Sequence, residues 1–184
     1  TESKQAKQNA KKPPELPEDC IYINNGGLAI LHPFLQPLCS ALGLLDSDNR
    51  FIDEPARHKA CVVIYYLQSG TDLYAEEEMA FNKILCGMAI EDVLPAEISL
   101  NDTDKKECNE LLDAVIDYWD ALKGASAAAL QETFIRRSAR LSFKNDHWLL
   151  QVERNATDIL TDRLPWGIGI IKLPWLSHLI HTEW

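Results

Sequence analysis

Histidine and cysteine are the residues of this chain best suited to catalysis or metal binding, and the sequence contains five of each. His178 and His181 have the spacing of two ligands on one helical face, where a metal ion could bind both. Pro174 precedes them, however, and the local pattern indicates an extended segment. The sequence also lacks the His-x-x-x-His and His-Glu-x-x-His patterns that are typical of metalloenzymes. We therefore predict structural or surface roles for His32, His58, His147, His178 and His181.

The cysteines are an odd number, widely spaced and without a Cys-x-x-Cys pair. This usage is typical of reduced core cysteines in a protein made in a reducing compartment. Cys86 is the best candidate for a nucleophile, because a histidine base can come from a distant part of the chain. It is predicted to end a helix, and activation of a thiol requires the other end. No phosphate-binding loop or Gly-x-Ser-x-Gly motif occurs, so we predict no catalytic residue, no cofactor and no metal. The cysteines are Cys20, Cys39, Cys61, Cys86 and Cys108.

The loop Asp46–Arg50 resembles the start of a calcium-binding EF-hand loop. Such a loop needs an oxygen ligand at its fifth position, glycine at its sixth and a bidentate glutamate at its twelfth. Here those positions hold Arg50, Phe51 and Arg57, so cations replace two of the ligands. The loop is therefore predicted to form a turn that leads into a helix.

The charge balance argues against nucleic-acid binding, and the hydropathy pattern argues against membrane insertion. The chain carries 28 acidic and 18 basic residues, and its net charge of −10 repels a phosphate backbone. The one compact basic group, Arg136, Arg137 and Arg140, is predicted to lie on the solvated face of a helix. No apolar run approaches the ~20 residues of a transmembrane helix.

Composition divides the chain into two parts. Residues 1–19 are predicted to be a flexible linker from an upstream region, because they contain too few apolar side chains to offset the entropy of ordering. Residues 20–184 are predicted to form one compact C-terminal domain, since a hydrophobic content of 46% is enough for a core. The start at Thr1 suggests a piece of a longer protein.

Helix signals dominate the predicted domain. Asp53 or Glu54 caps a helix that Gly70 ends, and the apolar interior of this helix marks it as central. A capping box is predicted at Asp104–Glu107, ahead of the best amphipathic helix. A further helix is predicted from Ser126 to Leu141.

Short β segments are predicted towards both ends of the domain. Ile21–Ile23 alternates in polarity and runs into the turn residues Asn24–Gly27, so a hairpin and a strand–turn–helix both remain open. Residues 143–153 and 168–173 are strand-like. The expected fold class is therefore mainly α: a compact helical domain with a small β element formed largely by the C-terminal segment.

The last third of the chain contains the tripeptide Leu-Pro-Trp twice, at Leu164–Trp166 and Leu173–Trp175, and ends in Trp184. We call these two copies the Leu-Pro-Trp phrases. Such an apolar ending must be buried, either in the domain itself or against a partner. Trp119 is predicted to lie in the core by its helical spacing. For Trp166, Trp175 and Trp184, core and interface both remain open, and we predict that they bind a protein partner because interfaces select aromatic anchors.

The sequence resembles one known protein family in four short motifs. Pro33 and Leu42–Leu45 add to the resemblance. The order and spacing of the motifs resemble the C-terminal region of the tape measure proteins of contractile injection systems, the phage-tail-like machines of the antifeeding-prophage type. The resemblance extends from about residue 20 to the end. The motifs are Ile23–Leu28 (Ile-Asn-Asn-Gly-Gly-Leu), Asn82–Gly87 (Asn-Lys-Ile-Leu-Cys-Gly), Leu164–Trp166 and Ile171–Trp175.

The resemblance implies a structural protein without catalytic residues, cytoplasmic on synthesis and then enclosed in the injection particle. The implied partners are tail tube, hub or spike proteins, with self-association left open, and the implied role is to set or initiate tube assembly. A length ruler should be a long helix, whereas residues 20–184 are predicted to be compact, which favours an anchor domain. Two alternatives remain: a cargo or toxin-associated domain carried in the tube, and a small cytosolic enzyme with a site assembled from distant residues.

Overall fold

The computed structural model describes residues 20–184, so the predicted linker, residues 1–19, lies outside the described residues. Helices account for 47% of the structure and strands for 14%, and the strands form one five-stranded mixed sheet. The predicted mainly α fold class is therefore wrong. The sheet is a layer in its own right, with one face packed against the helices.

Local capping residues set the ends of the central helix. The helices are α1 (His32–Ala41), α2 (Glu54–Ser69), α3 (Ala80–Leu85), α4 (Asp102–Tyr118) and α5 (Ala127–Leu130). The predicted ends of α2 are confirmed: Asp53 Oδ1 accepts the N–H of Ala56 at 2.8 Å, and Gly70 follows in the left-handed conformation, φ 75°. Turns of 3₁₀-helix, Gly26–Leu31 and Glu76–Glu78, precede α1 and α3.

The capping box of α4 lies one turn earlier than predicted. Asn101 Oδ1 accepts the N–H of Asp104 at 2.8 Å, and the Asp104 carboxylate accepts the N–H of Asn101 at 3.0 Å. The predicted box Asp104–Glu107 is therefore wrong, although Asp104 takes part in the real one. The buried Asp104 carboxylate also pairs with Lys59 Nζ at 2.9 Å, which ties the start of α4 to α2.

The helix predicted from Ser126 to Leu141 is shorter than expected. Ser126 does cap α5, and a π-helical turn, Gln131–Ile135, continues it. From Ala139 onwards alternate residues face the core, so this segment is a strand. The alternating pattern of the strand begins only a few residues after the helix ends. In the sequence alone, the apolar residues of the helix and of the strand therefore fit one helical spacing.

The sheet brings the start of the domain beside its end. Its strand order is β1-β2-β3-β5-β4, and β3 and β5 run parallel whereas the other neighbours are antiparallel. The strands are β1 (Ile21–Ile23), β2 (Ala139–Lys144), β3 (His147–Val152), β4 (Ile170–Ile171) and β5 (Ile180–Glu183). The first of them is followed by a 3₁₀ turn and α1, which settles the open choice in favour of strand–turn–helix. Strands as short as β1 and β4 leave too few residues for periodicity to reveal.

Two glycines allow the turn after β1 to pack against the second half of the chain. A Cβ atom at Gly27 would lie 1.6 Å from the carbonyl oxygen of Phe134, and one at Gly26 would lie 2.5 Å from Ala139 Cβ. No side chain fits at either position without moving the backbone. The glycine pair therefore fixes the contact between β1, β2 and the π-helical turn.

Candidate protein-docking surface

Trp175, in the second Leu-Pro-Trp phrase, lies in the core. It is 6% exposed, its Nε1 donates to the carbonyl of Leu85 at 2.8 Å, and its ring centroid lies 4.8 Å from that of Phe51. A Cβ atom at Gly87 would lie 3.1 Å from the Trp175 carbonyl oxygen. The phrase therefore joins the C-terminal segment to the end of α3, where the motif Asn82–Gly87 also lies.

Trp166, in the first phrase, is only half-buried. Its Nε1 donates to the carbonyl of Ile30 at 2.9 Å, and its ring meets that of Phe34 nearly at a right angle, with centroids 5.1 Å apart. The next residue, Gly167, hydrogen-bonds through its carbonyl to His32 Nε2 at 2.9 Å. Burial lowers the pKa of His32, against the opposing effect of that hydrogen bond. The phrase therefore holds the C-terminal segment on the start of α1.

Trp184 covers a buried ion pair. Arg137 is 4% exposed, and its two terminal nitrogens donate to the two carboxylate oxygens of Asp158 at 2.8 and 2.9 Å. The guanidinium lies over the Trp184 ring, 5.2 Å from its centroid. Burial alone would raise the pKa of Asp158, but hydrogen bonds from Arg137 and the Asn155 backbone lower it below its ordinary value. The Trp184 Nε1 approaches the same carboxylate closely enough to lower its pKa but makes no hydrogen bond of regular geometry.

The predicted solvated helix face of Arg136, Arg137 and Arg140 is wrong. None of the three lies in a helix, and Arg137 is enclosed in the ion pair with Asp158. Arg140 lies on β2 and donates to the side chain of Gln151 at 2.6 Å. The sequence held one signal for this site, the asparagine–aspartate cap at Asn155, which resembles the cap of α4 but was not recognised.

The glycine motif and the α3 motif meet through buried amides. Asn25 Nδ2 donates to Gln68 Oε1 at 2.8 Å and to Asn82 Oδ1 at 2.9 Å, and Asn82 Nδ2 donates to Gln68 Oε1 at 3.1 Å. All three residues are buried, so the network fixes the turn after β1, α2 and α3 relative to one another. All four motifs of the resemblance thus make internal contacts, which explains them as determinants of the fold.

The residues considered for chemistry occupy structural positions. Cys86 is fully buried, and burial raises its pKa well above the ordinary thiol value, with a further contribution from Cys61. Asp46 Oδ1 accepts the backbone N–H groups of Asp48 and Arg50 at 2.8 and 3.1 Å, which confirms a turn. His178 lies outside β5, which contains His181. Within residues 20–184 no group of three or more His, Cys, Asp and Glu side chains could hold a metal ion.

An aromatic cluster is partly exposed where Trp166 reaches the surface. Phe34 lies between Trp166 and Tyr118, with its centroid 6.3 Å from that of Tyr118. Tyr118 is 66% exposed at the end of α4, although its neighbour Trp119 is fully buried as predicted. Sequence reasoning missed Phe34 and Tyr118 as surface residues. An apolar and aromatic cluster of this kind is a candidate contact for a protein partner.

Among residues 20–184 no helix has the length and apolar character needed to cross a membrane. The whole sequence, residues 1–184, matches the family described as contractile injection system tape measure protein. No curated protein and no solved structure is significantly similar to it. Tape measure proteins are structural rather than enzymatic, interact with other tail proteins and lie inside the assembled tail-like particle. The chain belongs to the family of contractile injection system tape measure proteins.

Proposed function

We propose that residues 20–184 are an anchor domain, a folded unit that docks to tail tube, hub or spike components and helps to set or initiate tube assembly. The observation that carries this proposal is the shortness of the helices. The longest helix among residues 20–184, α4, has 17 residues, a length of about 26 Å at 1.5 Å per residue. A ruler needs a continuous rod along the tube, so this part of the protein is suited to attachment instead.

Internal packing supports the same role. The C-terminal segment is held to α1 through Trp166 and to α3 through Trp175, while Trp184 covers the ion pair of Arg137. A domain held together by these contacts can transmit mechanical force from a docking surface to the rest of the chain. A rigid scaffold also presents its exposed side chains at a lower entropy cost on binding.

Partner binding by Trp166, Trp175 and Trp184 remains a proposal, and the three residues differ in how they would contribute. Trp166 would contact the partner directly, because one side of its ring belongs to the exposed aromatic cluster. Trp175 and Trp184 would contribute by holding the C-terminal segment in place. Removal of either would weaken docking through loss of the fold rather than loss of a contact.

Deletion of the codons for residues 20–184 from the parent gene, followed by electron microscopy of the particles, tests the anchor role. We expect absent or tubeless particles. A matched control carries Glu91→Lys, which changes an exposed loop residue and should leave the particles normal. Particles of normal number and tube length after the deletion would overturn the proposal and favour a cargo, toxin-associated or enzymatic domain.

A further inference from the structure

Helices α1 and α4 lie side by side and leave a groove of about 280 Å³ between them. We call it the α1–α4 groove. Leu38 and Leu111 are buried in its floor, so the centre of the groove is apolar. Its lining residues are Phe34, Pro37, Leu38, Ala41, Glu107, Glu110 and Leu111.

The exposed aromatic cluster continues this groove. Phe34 lines the groove and also contacts Trp166 and Tyr118. Tyr118 is eleven residues beyond Glu107 on the same helix and, at 100° per residue, lies on nearly the same face. The groove and the aromatic cluster together therefore extend along about three turns of α4, or ~17 Å.

The two walls of the groove differ in charge. Helix α1 contains no Asp, Glu, Lys or Arg, and burial lowers the pKa of its one histidine, His32. Helix α4 instead places two acidic residues, Glu107 and Glu110, in the lining of the groove. Among residues 20–184 the only ion-pair partner of these two is Lys106, whose Nζ lies 3.7 Å from Glu110 Oε1 on the exposed surface.

We infer that the α1–α4 groove binds a basic amphipathic helix from another tail protein. Three turns of such a helix would place apolar side chains against Phe34, Trp166 and Tyr118, as in other helix-in-groove complexes. Its Lys or Arg side chains would face the acidic residues of α4, whose charge favours a basic partner and rejects an acidic one. The inference depends on the proposed function, because it assigns the chemistry of the partner that an anchor domain must have.

Titration with designed peptides tests the recognition without the particle. The probe is an 18-residue amphipathic peptide of Leu and Lys carrying a fluorophore, and the comparison probe has Glu in place of every Lys. The chain, residues 1–184, is titrated into each peptide while fluorescence anisotropy is measured. We expect at least tenfold tighter binding of the Leu/Lys peptide than of the Leu/Glu peptide.

A pair of charge-reversal variants separates the groove from the overall acidity of the chain. Glu107→Lys with Glu110→Lys, which reverses both acidic residues of the groove lining, should weaken Leu/Lys peptide binding at least tenfold. Glu91→Lys with Glu97→Lys changes the net charge equally at exposed loop positions and should weaken binding less than threefold. Equal weakening by the two pairs would overturn the inference, because it would show attraction to net charge alone.

Other occupants of the groove would also contradict the inference. Concentration-dependent dimerisation that Glu107→Lys with Glu110→Lys abolishes would identify a second copy of the chain as the partner. A tenfold rise in peptide affinity after removal of residues 1–19 would identify the lysine-rich start of the same chain.

Particle assembly distinguishes failure of this inference from failure of the anchor role. If the domain is an anchor, the Glu107→Lys, Glu110→Lys variant should lose tubes whereas the loop pair should not. If deletion of residues 20–184 abolishes tubes but the groove variant assembles normally, the domain is an anchor that docks elsewhere and the groove inference is wrong. If neither change affects the particles, both proposals fail.

Discussion

The two Leu-Pro-Trp phrases have the same sequence but different surroundings. The second places Trp175 in the core against Phe51, with its N–H bonded to the end of α3. The first leaves Trp166 half-buried against Phe34, although its N–H also bonds to a backbone carbonyl. In both copies the indole nitrogen has an internal partner, so only the exposure of the ring distinguishes them. A short motif thus fixes how the chain attaches, while the surrounding elements decide whether its tryptophan is core or surface.

Truncation of the inner tryptophan should have the largest effect. We expect Trp175→Ala to lower the free energy of unfolding by about 3–5 kcal/mol, because it removes a buried aromatic ring and leaves a cavity. Urea unfolding of the purified chain measures this change. Trp166→Ala is the matched comparison, and a larger loss there than at Trp175 would reverse the assignment of core and surface.

The third tryptophan extends the comparison to a buried charge. Asp158→Asn should cost about 3 kcal/mol or more, because it leaves the Arg137 guanidinium buried beneath Trp184 without its counter-ion. Asp162→Asn is the control, since Asp162 is exposed and its contact with Arg154 is long, at 4.0 Å. Similar unfolding midpoints for the two variants would show that the ion pair does not stabilise the fold.

The same pair predicts the acid response. The pKa of Asp158 is lowered in the folded state, so its stabilising contribution is complete above the ordinary carboxylate pKa of about 4 and is lost as pH falls below that value. The stability of the wild type should therefore fall more steeply below about pH 4 than that of Asp158→Asn. Urea unfolding at a series of pH values measures both slopes. Parallel curves would contradict the shift.

Glycines beside the two phrases sharpen the comparison further. Gly87 adopts φ 71° against Trp175, so Gly87→Ala should cost about 1–3 kcal/mol through backbone strain and crowding. A Cβ atom at Gly167, directly after Trp166, would meet nothing within 4 Å, so Gly167→Ala should change stability little. Thermal or urea unfolding of the two variants gives the difference, and a greater loss at Gly167 would be inconsistent with the packing described.

Truncation of the outer tryptophan should have a smaller effect than truncation of the inner one. Trp166→Ala is expected to cost about 1–2 kcal/mol, because it removes one hydrogen bond and one aromatic pair from a partly solvated position. Trp166→Phe retains much of the packing and should recover about half of that loss. Urea unfolding distinguishes these variants, and a loss above that of Trp175→Ala would contradict the half-buried position of Trp166.

Sequence reasoning succeeded where the determinant is local. The ends of α2 followed from Asp53 and Gly70, and the turn at Asp46 followed from the failure of the calcium-loop pattern. Family membership followed from the order of four motifs, which the match over residues 1–184 confirms. The helix ends, the turn and each single motif are specified by residues close together in the chain.

Features that depend on distant contacts were missed. The sheet could not be predicted because β1 pairs with β2 more than a hundred residues away and β5 inserts between β3 and β4. The Arg137–Asp158 pair was missed because burial of a charge depends on tertiary packing. The two Leu-Pro-Trp phrases could not be ranked for the same reason, since Phe51 and Phe34 lie far from them in sequence.

Tube assembly by Trp166→Ala and Gly87→Ala variants most directly tests the division between a core phrase and a docking phrase. The two changes are expected to destabilise the domain by similar amounts, so stability alone cannot separate them. We expect tubeless particles with Trp166→Ala and tubes of normal length with Gly87→Ala, both seen by electron microscopy. Normal tubes with Trp166→Ala, or equal loss in both variants, would show that the outer phrase serves the fold alone.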